Sequence, residues 1–176
     1  MQFFIGIVPP KEDRDRISSF QEKWNTLATE PHITVKAQSG LTDNLDWLEK
    51  IEACCCEVNC FNVQLGEPKL FGNEVLYLSV LSEKVKELHI ALIDTVHSGG
   101  KLEKEYFERD LYVPHLTLGQ KKHGLFHSEL LRMKDEAKEV LTPFQQWKVE
   151  CVRVYVQKQR GEKYLPYKDI FLKQTV

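Results

Sequence analysis

Two short stretches of this chain carry residue types that can do chemistry, Pro31-His32-Ile33-Thr34-Val35 and Pro114-His115-Leu116-Thr117-Leu118. Each sets a threonine two places after a histidine, within an apolar frame and behind a proline. In an extended strand residues i and i+2 share a face. His32 and Thr34 therefore project together while Ile33 and Val35 pack the other way, and His115 and Thr117 repeat this over Leu116 and Leu118. An imidazole titrates near neutrality, so one neutral and one protonated ring can serve together as base and acid. A threonine hydroxyl can donate to an oxygen whose charge grows during reaction. The set suits attack on a phosphate ester, and the symmetry leaves open which histidine is the base. Two ordinary strands with chance polar positions are the competing explanation, and the shared proline and apolar frame weigh against it.

Periodicity supplies the elements that must hold these residues. A strand is expected over 3–8, then an amphipathic helix from Lys11 to Leu27 on Ile17, Phe20, Trp24 and Leu27. The first motif occupies a strand over 32–37, and Thr42 or Asp43 can cap a helix to Glu57. Strands follow over 61–65 and 75–81, with bends at Pro68 and Gly72-Asn73. A helix capped by Ser82 runs to His97 and stops at Gly99-Gly100. A polar connection from Lys101 to Asp110 leads to the second motif strand, 111–118. A helix over 128–141 and strands over 147–157 and 165–172, joined by a loop at Arg160-Gly161, complete the chain. The order divides into two similar units with one motif each. Residues 1–176 are thus expected to form a single bilobal domain. If each motif lies in the sheet of its own lobe, the two His/Thr faces confront each other across a cleft.

A net charge of −2 excludes a protein that coats long duplex nucleic acid, and leaves small phosphate esters open. The apolar start, Met1 to Val8, stops at Pro9-Pro10 and reads as a strand, not a leader or a membrane span. Five cysteines, an odd number, do not make a secreted disulfide framework, so a cytoplasmic, monomeric protein with reduced thiols is expected. Cys54-Cys55-Cys56 and Cys60 lack zinc-site spacing and read as buried small side chains. His123 and His127 are four apart, but Gly124 between them favours a loop and a helix start. His89 and His97 read as boundary or surface residues. No metal or cofactor is expected.

Without a glycine-rich phosphate loop, positive charge must come from side chains. Lys36 shares the His32/Thr34 face if that strand continues, and is a candidate phosphate contact. The matching position after the second motif is Gly119, which would leave room for a base or ribose. Tyr155 and Arg153 share a strand face and are candidate substrate contacts, Tyr155 by stacking, with a packed tyrosine as the alternative, and Arg153 by its charge, with a solvated side chain as the alternative. Lys121, Lys122, Arg153, Lys158, Arg160 and Lys163 read chiefly as solvated charge.

The two tetrapeptides His32-Ile33-Thr34-Val35 and His115-Leu116-Thr117-Leu118, one per half, resemble the signature of the two-histidine (2H) phosphoesterase superfamily. Bacterial 2′-5′ RNA ligase-like proteins and cyclic phosphodiesterases are members. The resemblance implies an α+β, LigT-like fold with pseudo-two-fold symmetry: two antiparallel sheets with outer helices, facing a central cleft. It implies catalysis by His32, Thr34, His115 and Thr117 without metal, on 2′,3′-cyclic phosphates or 2′-5′ linkages of small nucleotides or RNA ends. RNA ligation, or nucleotide binding without turnover, are the alternatives.

Overall fold

The computed structural model describes residues 1–96 and 106–174. Its elements are β1 (Gln2–Ile7), α1 (Lys11–Lys23), β2 (Ile33–Lys36), α2 (Leu48–Glu57), β3 (Phe61–Val63), β4 (Leu65–Phe71), β5 (Val75–Val80), α3 (Glu83–Thr95), β6 (His115–Gln120), α4 (His127–Val140), β7 (Trp147–Val149), β8 (Cys151–Gln157) and β9 (Leu165–Phe171). Among the described residues, seven strands form an antiparallel sheet in the order β4-β5-β6-β2-β1-β8-β9, and β3 pairs with β7 in a small second sheet. The α+β class, the antiparallel strands and the outer helices are as expected. The two-fold relation is visible in the topology. β1-α1-β2 flanked by β8 repeats as β5-α3-β6 flanked by β4, and the axis passes between β2 and β6.

Alternation decides which side of the sheet is buried. Phe3, Ile5 and Ile7 of β1, Ile33 of β2, Leu116 and Leu118 of β6, Leu76 and Leu78 of β5, and Val152, Val154 and Val156 of β8 join one core with the apolar stripes of the helices. The intervening residues, including both His/Thr pairs, stand on the opposite face.

Several boundaries differ from the periodicity, each for a local reason. α1 ends at Lys23, short of Leu27, because Asn25 turns the chain at φ +55°. α2 begins at Leu48 because Leu45 takes φ +61° in the preceding turn. β4 runs through Pro68, which an edge strand tolerates. The turn comes only at Gly72, with φ +52°. The second motif strand begins at His115 because residues 109–111 form a 3-10 turn. The expected helix stop at Gly99-Gly100, His97, and residues 101–105 of the connection lie outside the described residues.

Candidate active site

The two motif strands are direct neighbours in the large sheet, where confronting sheets were expected. β2 pairs with β6 through Ile33 opposite Leu116. In an antiparallel register this sets His32 opposite Thr117 and Thr34 opposite His115. The two histidines are then diagonal neighbours across the strand pair, a relation that sets backbone positions about 7–8 Å apart in space. A cleft of about 610 Å³ opens over them and is lined by all four side chains. Each of the four is half-buried, while Ile33, Val35, Leu116 and Leu118 are buried beneath.

The backbone fixes both rings the same way. His32 Nδ1 lies 2.7 Å from the Glu30 carbonyl oxygen, and His115 Nδ1 lies 2.7 Å from that of Val113. A carbonyl only accepts, so each Nδ1 carries the hydrogen and donates it. Each neutral ring therefore keeps Nε2 as its basic nitrogen. Burial holds both pKa values below the usual histidine range. At His32 the Glu30 carbonyl and carboxylate partly oppose this, and a proton on His115 adds to it.

Each motif strand carries a bulge just past its threonine. On β1, Gly6 pairs with Thr34 and the next residue back, Ile5, pairs with Lys36, so Val35 is an extra residue. On β5, Tyr77 pairs with Thr117 and Leu76 with Gly119, so Leu118 is extra. A one-residue insertion exchanges the faces of everything beyond it. Lys36, expected in the cleft, is therefore turned to the core side with its partner Ile5. Its ammonium is fully buried and donates to Glu108 Oε1 at 2.6 Å, Ser39 Oγ at 2.7 Å and the Ser39 carbonyl at 2.6 Å. That rules out a phosphate contact. Gly119 is turned inward too. A side chain there would meet Leu125 and Met133 at 3.0 Å, so its absence makes room for packing side chains on the core side, while the glycine itself still borders the cleft.

Side chains of the opposite half cap the carbonyls left by the bulges. Gln21 of α1 donates to the Thr117 and Leu118 oxygens, and Thr26 Oγ1 donates to Leu118 at 2.8 Å. Tyr112 donates to the Thr34 oxygen at 2.7 Å, and His89 Nδ1 donates to that of Val35 at 2.8 Å. His89, read from sequence as a boundary or surface residue, is buried. Its Nε2 accepts the Arg109 N–H, and its ring stacks on Tyr112 at 3.7 Å.

Arg153 and Tyr155 do not line the cleft. Tyr155 is buried and stacked on Phe4 at 4.5 Å, which is the packed alternative. The Arg153 guanidinium binds Asp169 and Glu30, and the Tyr155 hydroxyl donates to Glu30 Oε1 at 2.7 Å. Those bonds to Asp169 and Glu30 raise the Arg153 pKa and lower that of Asp169. Both residues thus anchor Glu30, whose own carbonyl orients His32.

The structure adds residues that spacing did not reveal. Lys122, His123 and Lys163 line the cleft, and among the described residues neither lysine is in an ion pair. Gly6 lies against His32: a Cβ there would come within 3.3 Å of the ring. Phe4 packs on His32 at 4.7 Å, and Phe71 and Tyr77 pack edge-on to His115 at 5.0 and 5.5 Å. Strand pairing carries this information, and no local pattern does. Cys55 is buried in the core with its thiol pushed up to about 12, whereas Cys56 is exposed. Among the described residues no three His, Cys, Asp or Glu side chains converge to hold a metal, and no helix is long and apolar enough to cross a membrane.

Comparison with known proteins agrees with this geometry. Residues 9–163 match the profile of the 2′-5′ RNA ligase superfamily. The chain belongs to that superfamily. A Bacillus anthracis protein named as a candidate phosphoesterase is 31% identical over 145 residues, covering 77% of this chain and 80% of the relative. A Bacillus cereus protein with the same description is 31% identical over 147 residues, with the same coverage. Among solved structures, TT0787 of Thermus thermophilus superposes with TM-score 0.65 over 99% of each chain at 17% identity. Escherichia coli LigT complexed with 3′-AMP gives 0.62 over 98% of each chain, also at 17% identity. At such identity these two likenesses establish the fold.

Proposed function

We propose that the cleft hydrolyses phosphodiester bonds of nucleotides or RNA ends, 2′,3′-cyclic phosphates or 2′-5′ linkages, by paired-imidazole acid–base catalysis without a metal. The observation that carries the reading is the shared tautomer: both Nδ1 atoms are committed to backbone carbonyls, which leaves two Nε2 atoms for one phosphorus. One neutral Nε2 takes the proton of an attacking water. The other ring, protonated, gives its Nε2 proton to the departing oxygen, and each transfer contributes about 10²–10⁴-fold. Thr34 and Thr117 donate to the non-bridging oxygens as charge builds there. Lys122 and Lys163, at the cleft and outside the ion pairs of the described residues, supply the cationic charge that the buried Lys36 does not. The bound phosphate raises both depressed imidazole pKa values and so favours the protonated acid.

Superfamily membership supports the reaction class. A cleft that suits a ligand of nucleotide size is in keeping with the LigT complexes with 3′-AMP and ATP. In this reading residues 1–176 act as one domain, because each half supplies half of the quartet. The test is a hydrolysis panel of 2′,3′-cyclic nucleotides and 2′-5′ dinucleotides in the presence of EDTA. Turnover is expected to survive the chelator and to be lost in His32→Ala and His115→Ala. Full activity in the double variant would sink the proposal.

A further inference from the structure

A second cavity, of about 520 Å³, adjoins the cleft on the His115 side. Thr34, His115 and Thr117 line both spaces, whereas His32 lines only the first. The two arms differ in chemistry. Around the first stand Glu30, Lys122, Glu162 and Lys163. The second is walled by Phe71, Val75, Phe107, Leu111, Tyr112 and Val113. The polar groups behind that wall are already occupied. The Tyr112 hydroxyl donates to Thr34, both His89 nitrogens are bonded, and Glu108 is held by Lys36 and Ser39. The Tyr106 hydroxyl donates to Gln38, and Gln120 stands where the two spaces meet. Yet Phe107 remains 69% exposed and Leu111 53% exposed, a concentration of apolar surface beside a polar reaction centre.

A group seated there gains by burying apolar surface and finds few hydrogen-bond partners. A nucleobase would lose water from its polar edge without replacement, whereas an alkyl or aryl group loses nothing. Resting on the reading of the cleft as a two-histidine phosphodiester site, we infer that the second cavity holds an apolar alcohol esterified to the phosphate, and that this alcohol is the leaving group. The substrate class is then a phosphodiester with one polar arm, such as a nucleoside, and one apolar arm. The position of His115 between the cavities fixes the proton transfers. His32 Nε2 takes a proton from water as its oxygen bonds to phosphorus. The bond from phosphorus to the apolar alcohol's oxygen breaks, and protonated His115 gives that oxygen its Nε2 proton. The products are a phosphomonoester and the free alcohol.

Matched esters test this without changing leaving-group acidity much. The hexyl ester of uridine 5′-phosphate should exceed the methyl ester in kcat/KM by about tenfold or more. Leu111→Asn should shrink that ratio toward one, while Leu131→Asn on the distant helix α4 keeps it. Calorimetry with hexyl and methyl phosphate asks the same of binding alone. Hexyl phosphate should bind about tenfold tighter to the native protein and to His32→Ala. Equal binding, or a preference indifferent to Leu111→Asn, overturns the assignment. So does adenosine 2′-phosphate binding with the same dependence on Leu111, which would give the cavity to a base. A retained hexyl preference in binding with no hydrolysis of either ester or of 2′,3′-cyclic nucleotides would reject the reaction and keep the apolar arm. For the proton donor, the 4-nitrophenyl ester needs no proton on departure. Its hydrolysis should fall far less in His115→Ala than in His32→Ala, and the opposite order overturns the role given to His115.

Discussion

The two halves of the site carry the same motif on the same bulged strand, and differ in what surrounds it. In the first half Gly6 pairs with Thr34 and lies against the His32 ring, which rests on Phe4 beside a glutamate fixed by Arg153 and Tyr155. Around His115 the position equivalent to Gly6 is Tyr77, with Phe71 edge-on to the ring and, among the described residues, no equivalent of that fixed carboxylate. The inward residue past the bulge is a buried lysine in the first half and a glycine in the second. The two halves repeat the His/Thr pair and differ in the polarity around it. In the proposed reading the symmetry bears on the reaction type, and the breaks in it bear on what is bound on each side.

The largest expected effect asks whether the halves are equal in catalysis. His32→Ala and His115→Ala should each lower kcat/KM on a 2′,3′-cyclic nucleotide by about 10²–10⁴-fold. Steady-state kinetics would show it, and each variant should lose one limb of the pH profile.

Removing the most pronounced difference comes next. Lys36→Gly gives the first half the residue of the second, but strands Glu108 in the interior. A loss of about 3–5 kcal/mol in stability is expected by urea unfolding, with Glu108→Gln recovering part of it in the double variant. A neutral Lys36→Gly would mean that the ion pair contributes nothing.

Gly6→Ala probes the close approach to His32, since the new methyl must displace the ring or the strand. Displacing a reacting group by a few tenths of an ångström or more should cost about ten- to a hundredfold in kcat/KM, with little change in fold by circular dichroism.

Tyr155→Phe removes one of the bonds that hold Glu30. About 1 kcal/mol of stability should be lost, and the His32 limb of the pH profile should move.

Finally, burial lowers the pKa values of His32, His89, His115 and His123 from 6.5. As pH falls, the unfolded chain takes up protons first. The stability contributed by these neutral rings is present above pH 6.5 and is lost progressively below it, toward the depressed folded values. The melting temperature should drop over that range, and both limbs of kcat/KM should lie below about 6.5. A basic optimum would contradict the desolvated setting of both rings.

Much of the site was legible because strand alternation is a local rule. His32, Thr34, His115 and Thr117 face one cleft for the reason the spacing gives, and Ile33 and Leu116 meet at the centre of the sheet. Lys36 was misplaced by the same rule, since nothing in the sequence of residues 33–37 announces the extra Val35 that reverses its direction. That bulge is a property of pairing with β1. Phe4, Lys122 and Lys163 reach the cleft, and Gly6 and Phe71 reach its two histidines, through contacts distant in sequence, and so carried no periodic signal. His89 lies on the expected helix, but its burial depends on the Tyr112 ring and the Val35 carbonyl, both supplied from elsewhere in the chain.

The exchange of caps between halves has a consequence for folding. Gln21 and Thr26 satisfy carbonyls of the second motif, while His89 and Tyr112 satisfy those of the first. A fragment holding either motif alone would expose two backbone acceptors at the heart of its sheet, together with an unpaired central strand edge. Neither half can then serve as a stable stepping stone for the other. The amides of β2 and β6 should exchange with solvent only through opening of the whole sheet, and together, however different their surroundings in the native protein.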